Sequence, residues 1–190
     1  MRIILASGSP RRRELLEMLK VENLEIIPAK GEEADHPELS PPQLVMELSR
    51  CKAAEIAPED EEDTITIGAD TIVVLDGKVM GKPSNEGEAA EMLRSLSGRS
   101  HTVYTGVTVI RGSRVLSRAE ETKVHFRSLS EREIEAYIAT GEPMDKAGAY
   151  GAQGLASLFV EALEGDFFNV MGLPLCTLGI MLKELGVNLI

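Results

Sequence analysis

The hydrophobic and polar positions of this 190-residue chain follow two periods. Segments with two-residue alternation and many β-branched residues predict strands, and apolar residues recurring every three or four positions predict helices. The predicted strands are 2–6, 24–28, 64–69, 71–75, 78–80, 102–111, 114–126 and 155–160, and the predicted helices are 10–20, 41–57, 86–96, 131–140 and 174–185. Strands interleaved with helices in this way favour an α/β fold.

Two turn signals predict that the sheet is mixed rather than purely parallel. Asp76-Gly77 and Gly112-Ser113 each separate two predicted strands and favour antiparallel hairpins. Ser130 with Glu133 predicts a capping box at a helix start. The length favours a single domain spanning residues 1–190, with one mixed, twisted sheet and flanking helices.

Charge and composition exclude several classes of protein. The net charge is −11, from 31 acidic and 20 basic residues, so we expect no nucleic-acid partner, because binding nucleic acid needs a broad positive surface. No apolar run approaches the ~20 residues that a membrane span needs, and residues 3–6 are too short for a signal peptide. Cys51 and Cys176 adjoin apolar helix-like sequence, which favours buried reduced thiols over a disulfide or a nucleophile. We therefore expect a cytoplasmic protein.

An arginine-rich turn follows the first predicted strand. Ser7-Gly8-Ser9-Pro10 leads into Arg11, Arg12 and Arg13, with Ser9 at the N-cap and Pro10 at the first helical position. Cations are unfavourable at the positive end of a helix dipole, whereas a bound polyanion would reverse that interaction. The turn therefore indicates either a phosphate site or a solvated basic surface.

Lys52 interrupts an apolar row on the second predicted helix. Leu44, Leu48, Lys52 and Ile56 recur every four residues and so lie along one face. A lysine in that position either extends its ammonium group past the edge of the core into water or points into a polar cleft.

The hairpin at Asp76-Gly77 collects opposite charges at its open end. Its register pairs Leu75 with Lys78 and Thr71 with Lys82, so Asp70 lies near Lys82. Asp70 could then act as a general base for water or bind a magnesium ion, and Lys82 could neutralise phosphate charge. The alternative is a structural ion pair at a strand end.

These fragments together resemble the Maf family of nucleoside triphosphate pyrophosphatases, which is also associated with septum formation. The resemblance covers nearly the whole chain. It rests on Ser7 to Arg12, Lys52, Gly68-Ala69-Asp70-Thr71, Gly81-Lys82-Pro83, Tyr104-Thr105-Gly106, the segment 145–154 that ends in Gln153-Gly154, and the segment 169–174.

The resemblance implies an elongated, two-lobed α/β fold of the Maf and ITPase kind with a central cleft, often dimeric. It implies hydrolysis between the α- and β-phosphates with the help of a divalent cation, Mg²⁺ or Mn²⁺. Asp70 matches the proton acceptor and a metal ligand, and Glu33 matches a second acidic position near the metal. The phosphate-handling positions match Ser7, Arg12, Lys52 and Lys82.

Three positions that differ between family subgroups carry Arg11, Thr71 and Gln153 here, a set that resembles the subgroup acting on dTTP and UTP. A Gln153 amide offers an acceptor to the N3–H of a pyrimidine and a donor to its O4 carbonyl. The alternative is that Gln153 only caps a glycine-rich turn.

Two other functions stay open from the sequence alone. One is a nucleotide-sensing regulator of septation with little catalysis, and the other is a purine pyrophosphatase acting on ITP or XTP. The intact charged residues disfavour the first, and Arg11 with Gln153 disfavours the second. The three histidines have no metal-ligand spacing and are interpreted as structural: His36, His101 and His125.

Overall fold

The computed structural model describes residues 1–31, 36–59 and 61–189. Along the chain, the elements are β1 (Arg2–Leu5), α1 (Pro10–Met18), β2 (Leu24–Ile26), α2 (Pro41–Ile56), β3 (Thr64–Leu75), β4 (Lys78–Met80), α3 (Glu86–Leu96), β5 (Ser100–Arg111), β6 (Arg114–Phe126), α4 (Glu131–Ile138), β7 (Val160–Glu164), α5 (Phe167–Met171) and α6 (Leu175–Glu184). Three single 3₁₀ turns lie between α4 and β7, at Glu142–Asp145, Ala147–Ala149 and Leu155–Leu158.

The strands form one seven-stranded sheet in the order β2-β1-β3-β5-β6-β7, with β4 paired to β3. β1 runs parallel to both β2 and β3, whereas β4 is antiparallel to β3 and β7 is antiparallel to β6. The predicted α/β class with a mixed sheet and flanking helices is therefore confirmed.

The β3–β4 hairpin has the predicted turn. Leu75 pairs with Lys78 and Val73 with Met80. Asp76 and Gly77 have φ values of 51° and 75°, the left-handed conformation that a two-residue type I′ turn requires at both positions. Arg99 also donates to both carboxylate oxygens of Asp76, at 2.7 and 2.8 Å.

Three predicted strands differ in the structure. Segments 64–69 and 71–75 form a single strand, β3, which is buried almost throughout. The strand predicted at 155–160 is wrong, because Leu155–Leu158 is a 3₁₀ turn and β7 starts only at Val160. Backbone bonds from Ser157 N–H to Gly154 O (3.0 Å) and from Phe159 N–H to Ala156 O (2.9 Å) close that turn, so its apolar residues do not extend.

The chain divides into two compact units. The first unit comprises 1–70, 105–120 and 172–190, and the second comprises 71–104 and 121–171. Fully buried aliphatic side chains of the first unit include Leu5, Leu16 and Ile67, and those of the second include Leu93 and Leu96. The single domain over 1–190 stays a prediction.

The prediction that both cysteines are buried is wrong. Cys51 and Cys176 are exposed free thiols. Cys176 lies between the buried residues Leu175 and Thr177, and Cys51 lies two residues from the buried Ser49 and Ala53, so closeness in sequence to buried positions did not indicate burial of either thiol. Among the residues that the structure describes, no helix is long and apolar enough to cross a membrane.

Candidate active site

The connection from β1 to α1 begins the candidate site in the first unit. Ser9 stands at the N-cap in an extended conformation, and Pro10 opens the helix, as predicted. Ser7, which is buried, accepts a hydrogen bond from the backbone N–H of Ser9 at 3.3 Å. This bond folds the turn and holds the Ser7 hydroxyl close to the helix start.

Arg12 joins three separate segments of the first unit. Its Nε donates to the carbonyl oxygen of Gly172 at 2.7 Å. Its Nη1 donates to Ser7 Oγ at 3.1 Å and to the carbonyl oxygen of Ala69 at 2.8 Å. Since Ala69 precedes Asp70, the guanidinium fixes the backbone from which the Asp70 carboxylate projects.

The three arginines of the turn occupy different environments. Arg13 pairs with Glu17 at 2.7 Å in an exposed i, i+4 contact, which fits the solvated-surface interpretation for this residue. Arg11 is half-buried on the same helix. The residues of the turn by themselves did not indicate that Arg12 would bond to the backbone of Gly172 and Ala69, because both are distant in sequence.

Two strand glycines allow α2 to lie close against the sheet. A Cβ at Gly68 would lie 2.8 Å from Ala53 N and 2.9 Å from Ala53 Cβ, and closer still to the carbonyl oxygen of Ser49. A Cβ at Gly106 would overlap the carbonyl group of Val45. Both glycines lie in motifs that carry the family resemblance, and a glycine inside a strand is also a sequence signal for close backbone approach, which could have predicted this packing.

The close seating of α2 brings Lys52 to Asp70. The buried face of α2 is formed by Val45, Leu48, Ser49 and Ala53, and Lys52 lies at its edge. Lys52 Nζ donates to Asp70 Oδ1 at 2.5 Å. The side chains are 23% and 10% exposed, so the ammonium group contacts a nearly buried carboxylate instead of extending only into water.

Four of the predicted site residues thus lie together in the first unit: Ser7, Arg12, Lys52 and Asp70. Glu33 lies outside the described residues. Thr71, Lys82 and Gln153 belong to the second unit: Thr71 is half-buried on β3, and Lys82 is exposed just after β4.

Gln153 lies at an exposed position in the turn between two 3₁₀ segments of the second unit. The backbone itself closes this turn, because Gly154 N–H donates to Gly151 O at 3.0 Å. The Glu142 carboxylate accepts the Leu155 N–H at 3.2 Å just beyond it. These two hydrogen bonds hold the turn without the Gln153 side chain, which disfavours the alternative that Gln153 serves only as a cap.

The histidines lie in structural surroundings. His101 is buried against Phe126 and Tyr150, and its Nε2 lies 2.7 Å from the Tyr150 hydroxyl. Burial, with a smaller contribution from His125, lowers the pKa of His101 to about 4. His125 lies between Ser100 and Glu164, at 2.7 and 2.6 Å, and His36 lies 3.4 Å from Glu38.

Within the described residues, no three His, Cys, Asp or Glu side chains cluster as a protein-built metal centre would require. A magnesium ion needs fewer protein ligands, because it commonly takes one or two carboxylates and completes its shell with water and substrate phosphates. Asp70 supplies one such hard oxygen donor in a nearly buried setting. The donor set therefore fits a magnesium or manganese ion that is bound together with a triphosphate.

Comparison with known proteins gives a consistent relationship. A family model described as Maf-like protein matches residues 2–185. A Bacillus cereus (strain ZK / E33L) protein named dTTP/UTP pyrophosphatase is 49% identical over 187 residues, covering 98% of this chain and 97% of that protein. A protein of the same name from Bacillus thuringiensis subsp. konkukian (strain 97-27) matches with the same identity and coverage.

Among solved structures, a HAM1 protein from Coxiella burnetii is similar with a TM-score of 0.47 and 17% identity, over 66% of this chain and 73% of that one. That likeness is too weak to support an argument about function. The match to the family model and the 49% identity are sufficient by themselves. This chain belongs to the Maf family.

Proposed function

We propose that this protein is a nucleoside triphosphate pyrophosphatase that hydrolyses dTTP and UTP to the monophosphate and pyrophosphate. The observation that carries the proposal is the 2.5 Å contact between Lys52 and the nearly buried Asp70, beside the Arg12 guanidinium. It places a carboxylate and two cations within one small region of the first unit. Relatives at 49% identity that bear the name dTTP/UTP pyrophosphatase support the same reaction.

Asp70 is the general base in this proposal. Its carboxylate takes a proton from a water molecule, whose oxygen attacks the α-phosphorus. A new P–O bond forms to the water oxygen, the bond from the α-phosphorus to the bridging oxygen breaks, and pyrophosphate leaves. Arg12 and Lys52 restrict the movement of the carboxylate from two sides, through the Ala69 carbonyl and through Oδ1.

Cationic groups supply the binding of the triphosphate. Lys52, Arg12 and Lys82 attract the phosphate oxygens, and the Ser7 hydroxyl beside the start of α1 donates to one of them. Most of the rate enhancement in phosphoryl transfer comes from such positioning and charge neutralisation. A divalent cation held by Asp70 and Glu33 would neutralise further charge on the phosphates when bound.

Base selection belongs to three other residues in the proposal. Gln153 presents an amide with one acceptor and two donors, which matches the N3–H and O4 of uracil and thymine. Arg11 and Thr71 complete the set that resembles the dTTP and UTP subgroup. The exposure of Gln153 keeps its amide accessible to a ligand.

The proposal extends to the assembly and compartment of the enzyme. Family membership supports a homodimer, with the nucleotide as the small-molecule partner. The exposed free thiols of Cys51 and Cys176 suit a reducing compartment, which supports a cytoplasmic location.

The decisive experiment is product analysis on a panel of triphosphates with Mg²⁺ or Mn²⁺. The purified protein is incubated separately with UTP, dTTP, CTP, ATP, GTP, ITP and XTP, and the products are separated by ion-exchange chromatography. We expect UMP or dTMP together with pyrophosphate. Formation of the diphosphate and inorganic phosphate would contradict attack at the α-phosphorus, and IMP or XMP as main products would identify a purine enzyme.

A further inference from the structure

We infer that Glu142 and Tyr137 are positioning residues that hold the Gln153 turn, and thereby set selectivity for the nucleotide base. The inference rests on the proposed function, because it gives Gln153 its role in base selection.

The near end of the turn is fastened by Tyr137. Its hydroxyl oxygen accepts the backbone N–H of Gly151 at 3.2 Å. The same hydroxyl donates to Glu142 Oε1 at 2.9 Å, so one O–H group serves as acceptor and donor at once. Tyr137 is 3% exposed, and its ring packs edge-on against Phe159 with centroids 5.1 Å apart. Since this ring is fixed within the core of the second unit, it gives Gly151 a rigid anchor.

The far end of the turn is fastened by the other carboxylate oxygen. Glu142 Oε2 accepts the backbone N–H of Leu155 at 3.2 Å. The two oxygens of Glu142 therefore reach both ends of the turn, one through Tyr137 and the other directly. Gln153 lies between the two fastened amides, so its Cα position is determined on both sides.

Glycines make this arrangement possible. A Cβ at Gly154 would collide with the Glu142 carboxylate, with its Oε2 at 2.8 Å and other atoms closer. A Cβ at Gly151 would lie 2.7 Å from Lys146 Cε. Lys146 is held in place by the carbonyl oxygen of Glu142, at 2.6 Å from its Nζ. The turn thus packs directly on the side chains of Glu142 and Lys146, and a side chain at either glycine would displace them.

The 151–154 turn does not need Glu142 in order to connect its two flanking 3₁₀ segments. Gly154 N–H to Gly151 O already closes the backbone. The additional fastening through Glu142 reduces the number of positions that Gln153 samples, and so lowers the entropy lost when its amide binds a base. An exposed glutamine has many rotamers and gains selectivity only if its backbone is fixed.

The test compares four single variants with the wild type, together with the double variant that combines the first and the last of them: Glu142→Ala, Glu142→Gln, Tyr137→Phe and Gln153→Ala. We measure kcat and KM for UTP and for GTP, and amide hydrogen exchange across 151–155. Glu135→Ala is the matched control, because it removes an exposed carboxylate from the same region without touching the turn. Glu142→Gln retains one oxygen acceptor and should rescue part of the effect.

For Glu142→Ala we expect KM for UTP to rise about tenfold, the loss typical of a hydrogen bond to a charged group, with kcat changed far less. The preference for UTP over GTP should fall by a similar factor. Amide hydrogen exchange at Gly151 and Leu155 should be faster in Glu142→Ala than in the wild type. The double variant Glu142→Ala with Gln153→Ala should lose little more UTP preference than either single variant, because both substitutions remove the contribution of Gln153 to base selection.

Different outcomes separate this inference from the function on which it rests. If the wild type hydrolyses no pyrimidine triphosphate, the proposed function fails. If the wild type prefers UTP and Gln153→Ala abolishes that preference, but Glu142→Ala leaves KM and the preference unchanged, only the positioning role fails. Fully additive losses in the double variant would likewise overturn it, because they would show two independent effects.

Discussion

Gly68→Ala tests whether the seating of α2 on the sheet sets the geometry of the candidate catalytic pair. The new methyl group would lie 2.9 Å from Ala53 Cβ, 2.8 Å from Ala53 N and closer still to the carbonyl oxygen of Ser49, so the Ala53 contacts give the smallest movement that α2 must make. Carbon atoms pack at about 3.5–4.0 Å, so α2 must move outward by roughly 0.6 Å or more. Lys52 precedes Ala53 on that helix and moves with it.

The outward movement of α2 sets the expected losses of stability and of catalytic rate. The Lys52–Asp70 distance of 2.5 Å would lengthen to at least about 3.1 Å, beyond the ~2.7–2.9 Å typical of a charge-assisted hydrogen bond. Overpacking of this kind costs ~1–3 kcal/mol of unfolding free energy. Because misplacement by ~1 Å can cost ~100-fold in rate, we expect kcat to fall by roughly 10- to 100-fold.

The assay pairs urea unfolding, followed by circular dichroism, with kcat for UTP. Gly179→Ala is the control, because a Cβ at that position in α6 meets nothing within 4 Å. An alanine there should stabilise the helix by ~0.5–1 kcal/mol and leave kcat unchanged. Wild-type stability and wild-type kcat in Gly68→Ala would show that α2 does not need the glycine, and lower stability with unchanged kcat would show that the position of α2 does not control the Lys52–Asp70 pair.

Three further predictions concern single side chains. Asp70→Asn should lower kcat for UTP by at least ~100-fold, as expected for loss of a general base, while equilibrium dialysis still detects nucleotide binding; full activity would refute the role of Asp70. Arg12→Lys should lower the free energy of unfolding by ~1–3 kcal/mol, because an ammonium group cannot reproduce the planar guanidinium that bonds to Gly172, Ser7 and Ala69. An unchanged midpoint of urea unfolding would show that these bonds do not stabilise the fold. His101, with its pKa lowered from 6.5 to about 4, binds a proton more readily when the chain unfolds, so its contribution to stability is complete above pH 6.5 and is lost as the pH falls towards 4, at up to ~1.4 kcal/mol per pH unit. His101→Phe should flatten that part of the stability profile, measured by urea unfolding at pH 7, 6 and 5; an unaltered slope would refute the assignment.

Local chemistry made part of this structure predictable from sequence. Asp76-Gly77 determines its own turn through the backbone conformations that these two residues tolerate, and the strand register follows from the turn. Lys52 was recognisable as an exception within an apolar row. Ser130 with Glu133 formed the predicted capping box. Each of these signals lies within a few residues of the structure it specifies.

Other features depend on distant contacts and were not predictable. Only tertiary packing decides that Arg12 turns inward while Arg13 pairs with Glu17. Residues 155–158 have a strand-like composition but follow a glycine turn that is fastened to Glu142, so they form a 3₁₀ turn. The partnership of Glu142 with Tyr137 likewise gives no sequence signal, because a glutamate in a loop is usually solvated.

The hydrogen bond from Arg12 to Gly172 joins residues 160 positions apart. A chain emerging from the ribosome therefore carries its arginine turn long before the carbonyl that receives it has been synthesised. Nascent chains that end short of Gly172 therefore lack the carbonyl oxygen to which Arg12 Nε donates in the folded protein. Premature termination or C-terminal proteolysis before Gly172 should consequently yield proteins that retain the arginine motif without the fully assembled candidate site, and we expect such proteins to be inactive.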